Sequence, residues 1–528
     1  MGPRLVVLGW DSATFDIIDP LLAEGRLPHL GALIERGCRA ALRSTWPPMT
    51  DSAWTSAFTG RNPGSHGIFG SWYRAPGAYE CRYFSSRDRR SPAVWELSAG
   101  VRWLVWNVPM TYPPTDVDGV MIAGYGAPPG ARFCRPDSWQ DALGDRASLA
   151  DLLDRAPHSS LQAFLEDLIR GLDVQAETIP WAARESGADC VVAVWPHVDR
   201  AQHFLWRFRR SNHALSAGVE RVYEAMDHAT GAIVEAFPDA DFLIVSDHGA
   251  GELRGDVNLG AWLAELGRAR YGHGRRISAT ELAWKLPAPL RRLGRRLAPT
   301  AARSALGRTL TGQLGSFDWS QTDAFVGFHG DLWVNLAGRE PNGTIAPEES
   351  GDLLAELSSG LLALEDPATG VRPFAAAYER AEIYSGPAAA LAPDLMLDSW
   401  SAGYRVSPGR EPGPIVTPPT PLAGVNEAWS SDHRPVGVFA AAGPRIAASA
   451  PTELSLVDLT PAMLALLEQP VPADLDGRIP ATVIAPAFLE DHSIRSGPPS
   501  GERSSGGDYS DEEAAAVAAH LKDLGYIE

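Results

Sequence analysis

Four short stretches constrain this chain most. They are "RLVVLG" (4–9), "ADCVVAVWP" (188–196), "ADFLIVSDHG" (240–249) and "PVGVFAAAGP" (435–444), each a continuous apolar run closed by polar, Pro or Gly residues. A strand with one wet face alternates apolar and polar residues. An unbroken apolar run of this length instead suits a strand covered on both faces, as in a parallel sheet with helices above and below. Helical patterns lie between the runs, for instance over 212–236, so the alternation predicts an α/β fold.

The chain has 528 residues. That length predicts one large domain with insertions, or two to three domains. Pattern and composition divide it into an α/β core (1–266), a basic helical insertion (267–316), a cap or second lobe (317–420), a return to the core (421–493), and a linker with a C-terminal helix (494–528). Within the insertion, residues 268–308 hold eleven Lys/Arg and one acid, Glu281. Two readings stand: a solvated helical insertion, or an amphipathic surface for membrane headgroups or a partner. Prolines 287, 289 and 299 prevent one long helix there. Residues 494–508 read as a flexible linker, and the closing "SDEEAAAVAAHLKDLGYIE" as an amphipathic helix.

The net charge of −19 argues against binding a nucleic-acid polymer. It is compatible with a small anionic substrate where metals or a local basic patch reverse the field. Four dispersed cysteines with no C-x-x-C pair argue against a zinc ribbon and read as reduced thiols. The first apolar run is too short for a signal segment or a membrane span. The expectation is a cytoplasmic protein without a transmembrane segment; nothing in the pattern sets its oligomeric state.

The polar residues at the run ends carry the chemistry. The first run leads to Asp11. The second leads into "HVDRAQHFLW", where Asp199 and His203 stand at i, i+4 on one helix face. The third ends in Asp247 and His248, and His433 precedes the fourth on a loop expected to return to the same edge. In an open parallel sheet, ligands gather at the carboxyl ends of the strands. Three carboxylates and three imidazoles are about the donor set two divalent cations need. Such N/O ligation suits zinc first, with manganese or iron also served.

The arrangement resembles the alkaline phosphatase superfamily, with its central, mostly parallel sheet flanked by helices. Within it the chain looks like the type I phosphodiesterase/nucleotide pyrophosphatase group and its bacterial phosphohydrolase/phosphomutase relatives. The matching segments include "VVLGWDSATFD", "PPMTDSAWTSAFTGRNPGSHGIFG", "NVPMTYPP", "VDRAQHFLWRF", "VSDHG" and "SDHRPVGVFAAAGP", in order across almost the whole chain. The resemblance implies two metals, one held by Asp199, His203 and His433, the other by Asp11, Asp247, His248 and the nucleophile oxygen. It also implies the nucleophile. Five hydroxyls lie close together at Thr50, Ser52, Thr55, Ser56 and Thr59, and hydroxyl chemistry alone does not choose among them. In the family the nucleophile stands nine residues before the Thr of the "TG" that precedes "P-x-S-H-G-I", which here is Thr50. Thr50 also falls at an expected helix N-terminus, which favours a phosphate.

The expected activity is metal-dependent hydrolysis of a phosphodiester, pyrophosphate or phosphate ester through a phospho-Thr50 intermediate. The alternatives are a phosphomutase or other phosphoryl or phosphono transferase using the same site, and a non-enzyme that docks through 268–308. A sulfatase is disfavoured, since Thr50 is followed by "DSAW" and no cysteine lies nearby. Trp54 and Tyr73 are candidates to stack on a leaving group, with core packing the competing reading for Trp54. His66 and Arg434 are candidate substrate contacts, with turn packing and a surface loop as their competing readings; His197 reads as a loop histidine or a support for the ligands. Two positions depart from the family pattern: Ser12, where glycine is usual, and Ala53, where the nucleotide pyrophosphatases place an anion-binding Asn.

Overall fold

The computed structural model describes residues 2–528 apart from 75–76, 80, 125–126, 128–129, 145, 147–159, 273–316, 328–329, 408–411, 420–428 and 504–528, of which Val517 alone is described. Its main sheet contains β1 (Leu5–Trp10), β2 (Cys38–Arg43), β3 (Trp103–Val108), β4 (Gly119–Ala123), β5 (Cys134–Arg135), β6 (Cys190–Trp195), β7 (Asp241–Val245), β8 (Val436–Ala442) and β9 (Glu453–Ser455). The order across the sheet is β9-β2-β8-β7-β1-β6-β3-β4-β5. β1 is central and parallel to both neighbours, with Leu5 opposite Cys190 on one side and Asp241 on the other. Alternate residues of β1 enter different cores. Val6, Leu8 and Trp10 join one apolar cluster, Leu5 and Val7 the other. Helices cover both faces, which is why the strand shows no polar side.

Among the helices that cover this sheet or carry residues to its edge are α1 (Thr50–Thr59), α2 (Leu161–Ser186), α3 (His197–Leu205), α4 (Gly218–Ala236) and α5 (Leu459–Leu466). α2 and α4 bury Leu165, Leu172, Val222 and Met226 in the first cluster, while α1 and α5 bury Trp54, Phe58, Met463 and Leu464 in the second. Ser160 caps α2 by accepting from Ala163 N–H, and Gly187 closes it at φ +61°, a left-handed turn that glycine makes without strain.

The fourth apolar run departs from expectation in its direction. β8 runs antiparallel to both β7 and β2. Burial on two faces makes a strand apolar throughout and carries no information about polarity. The reversal matters, because it puts the start of β8, not its end, at the edge where β1, β6 and β7 finish. His433, just ahead of β8, therefore arrives at that edge. It sits not on a loop but on the short strand Ser431–Arg434, paired antiparallel with Gly249–Glu252 so that His433 faces Ala250.

A second lobe has its own four-stranded sheet, built from Ala324–Val326, Asp331–Val334, Leu395–Asp398 and Ala376–Glu379. Helix Ser350–Ala363 contributes Leu353, Leu357 and Leu361 to its core. Val257, Leu259 and Leu263 pack in the same core, so the lobe takes in residues ahead of the 266/267 boundary drawn from composition. The chain beyond 494 is not a free linker over its described part. Ser496–Gly497 pairs with Val471–Pro472, and Arg503 meets Glu96 at 3.4 Å. The basic segment 273–316 and the expected C-terminal helix lie outside the described residues, save Val517, which is helical and buried. Among the described residues no helix is long and apolar enough to cross a membrane.

Candidate metal centre

The carboxyl edge of the sheet gathers the six predicted Asp and His ligands into two triads. Asp199, His203 and His433 form one, and Asp11, Asp247 and His248 the other, with the ligand atoms of each triad within 4.8 Å of one another. In the first, Asp199 Oδ1 is 3.1 Å from His203 Nε2 and 3.6 Å from His433 Nε2. In the second, His248 Nε2 is 3.1 Å from Asp247 Oδ2 and 3.8 Å from Asp11 Oδ1. The rings of His248 and His433 stack with centroids 3.7 Å apart, so the triads are adjacent. All six residues are buried.

Each imidazole is turned the same way. His203 Nδ1 meets Ser431 O at 2.9 Å, His433 Nδ1 meets Pro48 O at 2.9 Å, and His248 Nδ1 meets Gly249 O at 3.1 Å. A carbonyl can only accept, so each Nδ1 carries a proton and each Nε2 faces inward, where once deprotonated it presents a lone pair, as a metal-binding histidine does. Asp11 Oδ1, both oxygens of Asp199, Asp247 Oδ2, and Nε2 of His203 and His433 are buried without a hydrogen-bond partner. Buried polar atoms are rarely left so, because the desolvation cost is then unrelieved. Six convergent, unpaired O and N acceptors are a fit for divalent cations and poor design for anything else.

Without a cation, the same groups form a network of buried charges. Burial, then Asp247 and Asp199, push the Asp11 carboxyl well above its ordinary range. Burial likewise raises Asp247, with Asp199 adding to it. Burial works against an ionised Asp199 too, but His203 and His433 hold it well below its usual value. Burial would lower His433, and Asp199 outweighs it, raising the imidazole to about 8. Carboxylates this close repel one another unless a positive charge lies between them.

Of the five clustered hydroxyls, four serve their own segment. Ser52 Oγ donates to Pro47 O at 2.9 Å, Thr55 Oγ1 to Asp51 O at 2.6 Å and Thr59 Oγ1 to Thr55 O at 2.7 Å. Ser56 Oγ pairs with His66 Nε2 at 2.8 Å. Thr50 differs: it is the first residue of α1, and its Oγ1 lies 3.3 Å from His248 Nε2.

The description of the type I phosphodiesterase / nucleotide pyrophosphatase family matches residues 5–418. The chain belongs to this family. It is thereby a metal-dependent phosphoester hydrolase. Among solved structures, the phosphonoacetate hydrolase of Sinorhizobium meliloti 1021, in complex with phosphonoformate, aligns with a TM-score of 0.51 at 16% identity, covering 87% of this chain and 94% of that one. Human ectonucleotide pyrophosphatase / phosphodiesterase 5 aligns with a TM-score of 0.50 at 11% identity, covering 93% of this chain and 99% of that one. At such identities the likeness speaks to the fold alone. No curated protein matches the chain significantly.

Other candidate residues of this phosphodiesterase-family chain are occupied elsewhere. Trp54 is wholly buried, stacks on Phe58 and donates its Nε1–H to Asp11 Oδ2 at 2.9 Å, so it supports a triad residue and offers no face to a substrate. Tyr73 packs against Phe84 with ring centroids 4.7 Å apart and planes tilted by 32°. His66 accepts from Ile68 N–H through Nδ1 at 3.1 Å, and burial, with Arg89, lowers it to about 3; it is a neutral packing residue. Arg434 gives its guanidinium to the carbonyls of His433 (2.8 Å) and Glu252 (2.6 Å), clipping together the strand pair that carries His433. His197 is buried, and burial, with Arg200, lowers it to about 3.

Two aromatic neighbours were not foreseen. Trp429 stacks on His203 at 3.8 Å. Trp46, four residues before Thr50, meets Tyr378 and Trp400 of the second lobe at 5.1 and 6.1 Å. Nearness in sequence to Thr50 and His433 was the available signal for both.

Proposed function

We propose that this family member hydrolyses a small anionic phosphodiester, pyrophosphate or phosphate ester, with Thr50 Oγ1 as nucleophile and two divalent cations, most naturally zinc, held by the two triads. The observation that carries this is the placement of Thr50 Oγ1, alone among five neighbouring hydroxyls, against the buried donors. Bound cations would supply charge stabilisation to the developing oxyanions and lower the pKa of the Thr50 hydroxyl. Thr50 Oγ1 gives up its proton to solvent and attacks phosphorus; the new O–P bond forms as the bond to the leaving group breaks, and the leaving oxygen takes up a proton from solvent. Water then attacks the phospho-Thr50 ester, its oxygen bonding to phosphorus as the Oγ1–P bond breaks, and the threonine hydroxyl is restored. Ala53 offers no side-chain donor, so the N–H groups of the first turn of α1 hold the phosphoryl oxygens. Transfer to an acceptor hydroxyl instead of water would use the same first half.

The test uses bis-p-nitrophenyl phosphate and p-nitrophenyl phosphate with elemental analysis. Purified wild type should carry two zinc equivalents and hydrolyse the diester, lose activity to a chelator and regain it with zinc. Thr50→Ala should keep the metal and lose about a thousandfold in kcat. A metal-free wild type inactive with added zinc, manganese or iron, or a Thr50→Ala variant with wild-type kcat, would sink the reading.

A further inference from the structure

Ser12 follows Asp11 and takes φ +66°, a conformation glycine adopts freely and serine does not. It is buried, and every polar group it has is engaged across the site. Its N–H donates to Asp247 Oδ1 at 3.2 Å. Its Oγ donates to Gly249 O at 3.3 Å, the same carbonyl that meets His248 Nδ1. Its carbonyl accepts from Gln202 Nε2 at 2.9 Å. Gln202 lies on α3 between Asp199 and His203, and it is wholly buried. Its Oε1 accepts from Tyr223 O–H at 3.2 Å, and Tyr223 in turn accepts from Thr14 N–H at 3.1 Å. The donors run in one direction, Thr14 to Tyr223 to Gln202 to Ser12 to Asp247. A one-way chain fixes the amide of Gln202 with nitrogen toward Ser12.

The geometry points to Ser12 and Gln202 as positioning residues that couple the two triads. Ser12 orients Asp247 directly and His248 through Gly249 O. Gln202 ties Ser12 to the helix that carries Asp199 and His203. A cation ordering one triad thereby orders the other, which makes cation uptake cooperative. This rests on the proposal that the site holds two cations. The left-handed backbone is retained for its side chain: a glycine would relax φ but lose the bond to Gly249 O.

The test is a Zn2+ titration of metal-stripped protein against a chromophoric chelator, with melting temperatures of the stripped proteins alongside. Wild type should take up two equivalents cooperatively. Ser12→Ala and Ser12→Gly should each weaken one equivalent about tenfold, leaving the other and the metal-free melting temperature near wild type. Gln202→Leu should abolish the cooperativity; Gln202→Asn, which keeps the amide but withdraws it from Ser12, serves if Gln202→Leu does not fold. Wild-type affinities and cooperativity in all variants would overturn the coupling. So would equal weakening of both equivalents with a lowered metal-free melting temperature, the mark of a merely structural role. A wild type that binds fewer than two equivalents would instead fail the two-cation reading itself.

Discussion

Trp54 lies one helical turn after Thr50, yet its indole reaches back to Asp11. The close fit explains a glycine inside a buried strand. A Cβ on Gly9 would come within 2.5 Å of the Trp54 ring, so β1 gives up a side chain to let the indole lie against it. Trp54→Phe keeps the ring in place and removes one hydrogen bond from a buried carboxylate. Zinc affinity in a chelator competition should fall about tenfold, and kcat with it; unaltered affinity would mean that Asp11 is held by other groups. The role of Trp54 was legible beforehand only in part: a tryptophan there reads first as core and second as a stacking platform, and neither reading names its hydrogen-bond partner. The choice depends on Asp11, which stands 43 residues away in sequence. The same holds for His66 and Arg434, whose partners, Ser56 and the Glu252 carbonyl, could not be paired with them from spacing alone.

At the scale of elements, the local signals were strong wherever a ligand directly follows a strand. Asp11, Asp199, Asp247 and His248 trail β1, β6 and β7, and His203 follows Asp199 by one helical turn, so an apolar run plus a polar end identified them. His433 obeys a different rule. It reaches the site because β8 is antiparallel, and Pro48 on the nucleophile loop then fixes its ring. That loop also carries Trp46 to Tyr378 and Trp400, joining the core to the second lobe. If the substituent of the substrate passes this aromatic surface, Trp46→Ala should lower kcat/KM for bis-p-nitrophenyl phosphate about tenfold more than for ethyl p-nitrophenyl phosphate. Equal losses on the two diesters would remove Trp46 from substrate selection.

At the scale of the whole molecule, the two triads gather segments from Asp11 to His433, so cation binding acts on the entire core. The metal-free protein carries the Asp11 and Asp247 carboxyls raised by burial first and by neighbouring carboxylates second. A cation that binds only the folded state adds about 2.7 kcal/mol per site at a hundred times its Kd. The melting temperature should therefore climb with zinc concentration and fall on chelation, followed by circular dichroism. A melting temperature indifferent to both would argue that the triads hold no cation.

The sequence by itself determined what depends on neighbouring residues: which runs become buried strands, and which carboxylates and imidazoles stand at their ends. Local periodicity and local polarity suffice for that, since a strand and its following turn are read within about ten residues. Only the tertiary structure decided the direction of β8, the stacking that sets the two triads side by side, and the assignment of Trp54, His66 and Arg434 to support of their neighbours. It also decided that Thr50 faces the triads while Ser52, Thr55, Ser56 and Thr59 do not. Those outcomes turn on hydrogen bonds and stacking between segments far apart in the chain. Their geometry exists only once the sheet has set the strand ends side by side.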